Sequence, residues 1–485
     1  MSIRRRLAEE VSHSGLFLWG AAASVSIDDL RRRTSLGGCR TELAGRSVLI
    51  ATRDQLATAV ALIELDGIAR RLVICTPDIA PAHLGSVISR AGVDAIVSDN
   101  AAASAGAAEG VCRGPDLCAL VRVSCSLALS PADGVPPEHS CTEWVLLTSG
   151  TTGAPKLVAH TLASLTAPFG KTAAQATDLV WGTFYDIRRY GGLQIFLRAV
   201  LGQGSLVLAG PAEPLDAFLS RLAGRGVSHV SGTPSHWRRA LMSSLASAIA
   251  PRYIRLSGEI VDQGILRMLR SFYPNAAIGH AFASTEAGVG FEVDDGLEGF
   301  PSAFVGARGG VDLRIQDGSL RLRSNRIASG YVGDEEGAIA GEDGFVDTGD
   351  LVELRRDRYH FLGRRNGTIN VGGLKVHPEE VERVINRHPS VRMSVVQSRR
   401  NSIMGSLVIA DVVLTEDAAE AAQAAQDFQD AAQEVAGNGT AALKREIFLV
   451  CRDNLAAHKV PAAIRFVPAV ELTAAGKLAR QTGLH

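Results

Sequence analysis

Residues Leu146–His160 read LLTSGTTGAPKLVAH. Two leucines lead into Thr148, Ser149, Gly150, Thr151, Thr152 and Gly153, and Lys156 follows three positions later. Glycines let backbone N–H groups come close to a polyanion. The hydroxyls add donors, and the lysine adds a mobile charge. The stretch is therefore a candidate phosphate cradle. It does not match the G-x-x-x-x-G-K-[ST] loop. Taken alone, the same composition also describes a plain surface turn, so the reading depends on what surrounds it.

On either side, short apolar runs alternate with helix-periodic ones. Arg46–Thr52, Arg70–Thr76 and Val93–Asp99 read as strands, and Asp54–Gly67 and His83–Gly92 as helices. Beyond the loop, Gly204–Gly210 (strand), Pro214–Gly226 (helix) and Val227–Pro234 (strand) resume the pattern. Such alternation predicts an α/β layer with a parallel sheet. From about residue 300 the texture changes. Val311–Ser324 alternates apolar and polar residues around Asp317-Gly318, a hairpin signal, and Gly344–Arg364 continues in kind. This predicts a small antiparallel β unit near 300–365. His377–Val391 then reads as a helix, and two strands follow. Asp417–Gly437 is rich in Ala and Gln and helix-prone.

The bulk composition narrows the class. In 485 residues, 46% are apolar, 21% are charged and the formal net charge is −1. No global basic field draws the chain to nucleic acid or to an anionic membrane. No apolar stretch approaches the ~20 residues of a membrane helix, and Met1–Leu18 lacks a secretory pattern. The seven cysteines form no C-x-x-C pair, which fits a reduced, cytoplasmic setting.

Three further stretches carry candidate chemistry. Gly279–Gly288 (GHAFASTEAG) places Ser284, Thr285 and Glu286 on a small-residue turn, and Glu286 suits Mg²⁺ if phosphates are near. Asp347–Leu354 (DTGDLVEL) offers Asp350 as an acceptor for a ribose diol, with Arg364 behind it. Ala474–Arg480 (AAGKLAR) carries Lys477. Each has a bland reading: a solvated carboxylate, a charged hairpin, a tail lysine.

Together, in this order, these stretches resemble the adenylate-forming superfamily of acyl-CoA synthetases, peptide-synthetase adenylation domains and beetle luciferases, and more particularly its acyl- and aryl-CoA ligases. The resemblance runs from about residue 45 to the C-terminus. It implies a large N-terminal domain (1–365) of layered α/β subdomains with a small β-barrel-like unit, followed by a small mobile α+β domain (366–485). The implied reaction is ATP-dependent activation of a carboxylic acid to an acyl-adenylate, then transfer to the thiol of CoA.

By the same resemblance, Thr148–Gly153 and Lys156 wrap the β- and γ-phosphates. Phe282 lies against adenine, Ala283 and Ser284 belong to the same ATP site, and Gly258 and Glu259 edge the purine. Thr285 meets the α-phosphate, Glu286 holds Mg²⁺, Asp350 and Arg364 take the ribose, and Lys477 enters for adenylation. Asn366 is the hinge, and Gly372 and Gly373 leave room for a pantetheine arm. The acid site falls on Tyr185, Tyr190, Gly191, His280 and Ala281, implying an aromatic or other compact acid. Arg188 and Arg189 are expected to face solvent as a pair; one of them pointing inward would admit a second carboxylate on the substrate. Little chain follows Lys477 and no carrier domain is expected there, so free CoA is the expected acceptor, a separate carrier protein being the alternative. A monomer or homodimer is expected. Leu157 departs from the family, which commonly has Gly after the loop lysine.

Overall fold

The structure, a computed structural model, describes residues 2–9, 15–100, 120–132, 141–148, 155–169, 179–333, 337–371, 373–401, 405–421, 439–473 and 475–480. The Ala/Gln-rich 422–438 and the loop residues Ser149–Gly153 lie outside these.

A large N-terminal domain holds two mixed sheets. The seven-stranded one is built on Ser47–Ile50, Arg71–Ile74 and Ala95–Ser98, which run parallel as expected. The helix between the first two, Gln55–Leu65, is buried at all eleven positions, so it is an interior helix rather than an amphipathic one. Glu143–Thr148 and Lys156–Thr161 form an antiparallel pair on the same sheet, with Thr148 opposite Lys156. The candidate phosphate loop therefore closes a hairpin. Leu157 faces a core containing Val73, Leu147 and Ala159 and is fully buried; here the atypical residue fills the interior.

The eight-stranded sheet contains a parallel block in which Val180–Thr183, His229–Gly232, Tyr253–Ser257 and Ala277–Ser284 lie side by side. Gly288–Val293 returns antiparallel to the last of these. The turn between them carries Thr285 and Glu286. It needs glycine at 288, where φ is +76° and a Cβ would lie 2.4 Å from the Arg326 carbonyl oxygen.

The β unit is a six-stranded antiparallel sheet. Its hairpin turn falls on Asp317 and Gly318, both at positive φ (51° and 74°), as a two-residue type I′ turn requires. Its edge strands, Phe300–Pro301 and Gly306–Arg308, are joined by the short turn Ser302–Phe304, which brings the two edges together. A separate hydrophobic cluster then begins at Ile369. It packs the helices Pro378–Ile385 and Gly439–Asn454 on the sheet of Val391–Asn401, Gly405–Leu414 and Ala463–Phe466, forming the small C-terminal domain. The long helix from 439 was not evident in the sequence.

Candidate active site

A cavity of about 350 Å³ lies between the two domains. Its floor comes from the C-terminal ends of neighbouring parallel strands: Gly258 and Glu259 follow one, and His280–Ala283 end the next. Such strand ends are where open α/β sheets place ligands. Phe361, Asp350 and Arg364 enter from the β unit. Glu379, Glu382, Lys477 and Arg480 enter from the small domain.

Phe282 stacks on Phe361 (centroids 5.3 Å apart, 9° between planes) and on Phe291 (5.7 Å), and all three line the cavity. Asp350 Oδ1 accepts from Arg364 Nε at 3.3 Å, and the two residues pair across adjacent strands. Asp350 Oδ2 is buried and has no hydrogen-bond partner among the described residues. Burial raises the Asp350 carboxyl above its ordinary value, against the pull of Arg364, Thr348 and Lys477. One acceptor oxygen is thus held dry and unused beside an aromatic stack.

Lys477 reaches this cavity from the far end of the chain. Its Cε lies 3.8 Å from where a Cβ on Gly258 would stand. The segment is pinned on both sides: Thr233 Oγ1 donates to the Gly476 carbonyl at 2.7 Å, and Leu478 N donates to Glu259 Oε1 at 2.9 Å. Desolvation and the nearby Arg364 hold the Lys477 ammonium below the usual lysine value, with Glu259 and Asp350 opposing.

Several residues sit differently from expectation. Glu259 does line the cavity, but its oxygens accept from Ser235 N (2.9 Å), Ser235 Oγ (3.0 Å) and Leu478 N. It braces the wall and the tail together. Tyr185 adjoins the cavity at Gly258 and donates to the Ser257 carbonyl at 2.7 Å. Gly191 faces the Tyr185 ring, and Tyr190 is buried beside His160. These three do not line the cavity, whereas His280 and Ala281 do. Arg188 and Arg189 are not a solvent-facing pair. Arg188 is 3% exposed, doubly bonded to Asp186, and donates to the carbonyls of Thr52 and Arg53. Arg189 pairs with Asp78. The short-range counter-ion at 186 and two free carbonyls at a strand end explain the burial of Arg188. Asn366 lies in the exposed turn Arg365–Gly367, and Gly373 in the turn between Ile369–Val371 and Leu374–Val376. Gly372 lies outside the described residues.

Other residues escaped the sequence reading. Glu379, Glu382, Arg383 and Asn386 wall the cavity from the helix Pro378–Ile385 and its end. Their spacing of three, four and seven marks one helical face, and that was the available signal. Arg480 pairs with both glutamates at 2.7 Å. Glu382 is fully buried and raised by desolvation, an effect Arg480 opposes. His160 is also fully buried; its Nε2 lies 2.7 Å from the Thr285 carbonyl, and burial lowers its pKa to about 4. The ring is therefore neutral and ties the loop hairpin to the Thr-Glu turn.

These features define a two-domain α/β protein whose small domain covers a cleft of the large one. Two family models match the chain: AMP-binding enzyme over residues 44–331, and the AMP-binding enzyme C-terminal domain over 380–477. The protein belongs to the AMP-binding enzyme family, the adenylate-forming superfamily. It is 26% identical over 350 residues to a 2-succinylbenzoate–CoA ligase of Listeria monocytogenes, covering 69% of this chain and 68% of the relative. It is 26% identical over 375 residues to human mitochondrial acyl-coenzyme A synthetase ACSM2A, covering 70% and 62%. Among solved structures, ATP-bound MatB from Rhodopseudomonas palustris superposes with a TM-score of 0.74 at 19% identity, covering 98% of this chain and 97% of that one. Among the described residues, no helix is long and apolar enough to cross a membrane.

Proposed function

We propose that the protein is an AMP-forming carboxylic acid:CoA ligase. The relatives named as CoA ligases support this reading, and one observation carries it: the cavity joins an aromatic stack, a carboxylate with an unused buried oxygen, and a lysine from a distant tail. In the proposed assignment, adenine lies against the Phe282–Phe361 stack, Asp350 Oδ2 accepts from the ribose diol, and Lys477 sits beside the reacting carboxylate and α-phosphate. Lys156, at the base of the loop hairpin, reaches the outer phosphates. A carboxylate oxygen attacks the α-phosphorus, the bond to the β-bridging oxygen breaks, and pyrophosphate leaves. Fixed positive charge lowers the barrier where two anions meet. Glu286, a single carboxylate on the turn, fits Mg²⁺ that takes its other ligands from phosphate and water, where it would supply Lewis-acid charge neutralisation. A thiol sulfur then attacks the acyl carbonyl, the acyl–phosphate C–O bond breaks, and AMP leaves.

We further propose that the domains divide at 365/366 and that Asn366 is the pivot between the two half-reactions. The exposed turn Arg365–Gly367, lying between the β unit and the first strand of the small domain, supports this. The test is a panel of carboxylic acids scored by ATP–pyrophosphate exchange and by AMP release with and without CoA. Exchange together with CoA-stimulated AMP release is expected. Exchange without any CoA stimulation refutes the ligase and directs the search to a carrier-protein thiol.

A further inference from the structure

One face of the helix Tyr190–Leu201 is unusually polar for a buried surface. Tyr190, Gln194 and Arg198 recur every four residues and share that face. Gln194 Oε1 and Arg198 Nε are shut off from solvent without a hydrogen bond to a described residue, and the Tyr190 hydroxyl is buried beside them. Buried polar atoms are rarely left this way without a partner to come.

A charge imbalance lies alongside. Arg255 and Arg198 both pair with Glu292, the latter at 3.0 Å. Arg326 adds a third guanidinium acting on Glu292 and Tyr190. It donates to the Val289 carbonyl at 2.9 Å and leaves its own Nε orphaned. Among the described residues, Glu292 is the carboxylate common to all three arginines. Burial and the charge of Arg255 hold Arg198 below its ordinary value, as expected where like charges crowd at a partly buried site. A partly buried surplus of positive charge is costly until an anion joins it.

Glu292 and Arg326 line a second, smaller cavity, and Phe291 borders both that cavity and the candidate active site. Arg255 lies on the strand Tyr253–Ser257, and Gly258 follows directly after that strand. Gly258 has Lys477 against it. Tyr185 bridges the two regions: its ring abuts Gly258 and Gly191, its hydroxyl holds Ser257, and Arg255 acts on it.

We propose that the acid activated by this protein carries a second carboxylate, received by Arg198, Arg255 and Arg326 with Tyr190 and Gln194 beside them. The inference rests on the acid activation proposed above and narrows its substrate to organic diacids. Arg188 and Arg189, already matched by Asp186 and Asp78, are not the receiving groups.

The experiment compares diacids of graded length with their mono-methyl esters, in ATP–pyrophosphate exchange. Charge-assisted hydrogen bonds of this kind set an expected diacid preference of about 10- to 150-fold in kcat/KM. Arg198→Gln is expected to bring that ratio towards one. Tyr190→Phe, a milder change, is expected to lower it partially; both variants are checked for folding by ATP-dependent thermal shift. Equal use of diacid and half-ester by the wild type overturns the inference, as does a preference that survives Arg198→Gln. Absence of exchange with every acid overturns acid activation itself.

Discussion

Replacing Gly476 with alanine should cripple adenylation without touching the second half-reaction. Gly476 has φ +69°, and a Cβ there would stand 1.8 Å from His236 Cε1 and 2.0 Å from Nε2. His236 cannot swing away. Its Nδ1 accepts from Thr233 N at 3.2 Å, and its ring stacks on Phe184 (5.6 Å) and meets Tyr185 edge-on (5.9 Å). The tail must move instead, and Lys477 moves with it. Left-handed strain costs about 1–2 kcal/mol. The lost Thr233–Gly476 bond adds about 1 kcal/mol, and the bond to the Glu259 carboxylate about 1.5–3 kcal/mol. The sum, about 3.5–6 kcal/mol, corresponds to a drop of more than ~100-fold in the population with Lys477 in place. ATP–pyrophosphate exchange should fall by at least that factor. Thioester formation from a supplied acyl-adenylate should stay within about threefold, since none of these contacts enters it under the proposed domain rotation. Near-normal exchange in Gly476→Ala would refute the placement of the tail. Equal loss of both half-reactions would refute the division of labour.

Lys477→Ala should likewise abolish exchange and spare thiolysis of a supplied acyl-adenylate, measured by thioester formation. Because the Lys477 pKa is lowered, the alkaline limb of wild-type exchange should fall below the ordinary lysine value of about 10.4, and Lys477→Arg should move it upward in a pH–rate profile. Asp350→Asn should weaken ATP by about 10- to 150-fold, the range of a charge-assisted hydrogen bond, in titration calorimetry, with the acid affected less. It should also raise the melting temperature of the ligand-free protein at neutral pH. The folded Asp350 pKa is raised, so stability is lost as pH climbs from the ordinary carboxylate value through the raised one. The gain from asparagine should therefore shrink as pH falls towards about 3.9.

Local signals predicted local features well. Strand and helix alternation in the first 100 residues and the Asp317-Gly318 turn depend on neighbours in sequence, and both appear as expected. The Thr-Glu turn is similar, since only glycine fits at 288 against Arg326. Features set by distant partners were harder to read. Glu259 looks like a ligand-edge carboxylate until the chain folds and brings Ser235 and Leu478 to it. Arg188 looks exposed until the fold brings the carbonyls of Thr52 and Arg53 to it. The polar stripe of Tyr190, Gln194 and Arg198 was visible as spacing. Its meaning was not, because Arg255, Glu292 and Arg326 come from three other segments.

That contrast bears on how the site discriminates. Groups assigned to ATP sit where geometry is encoded locally: the Thr-Glu turn and the strand pair Asp350–Arg364. The groups assigned to the acid's far end are partly buried charges that depend on one another across a helix and several strands. Each arginine there is tolerated only with Glu292 present, so the set resists change one residue at a time. Replacing Glu292 alone would leave three guanidiniums facing each other, and replacing one arginine would leave the rest better balanced without a ligand. On this reasoning, a change of substrate from diacid to monoacid begins at an arginine and not at Glu292. Arg198, on the helix edge and 22% exposed, is the position where that change costs the fold least.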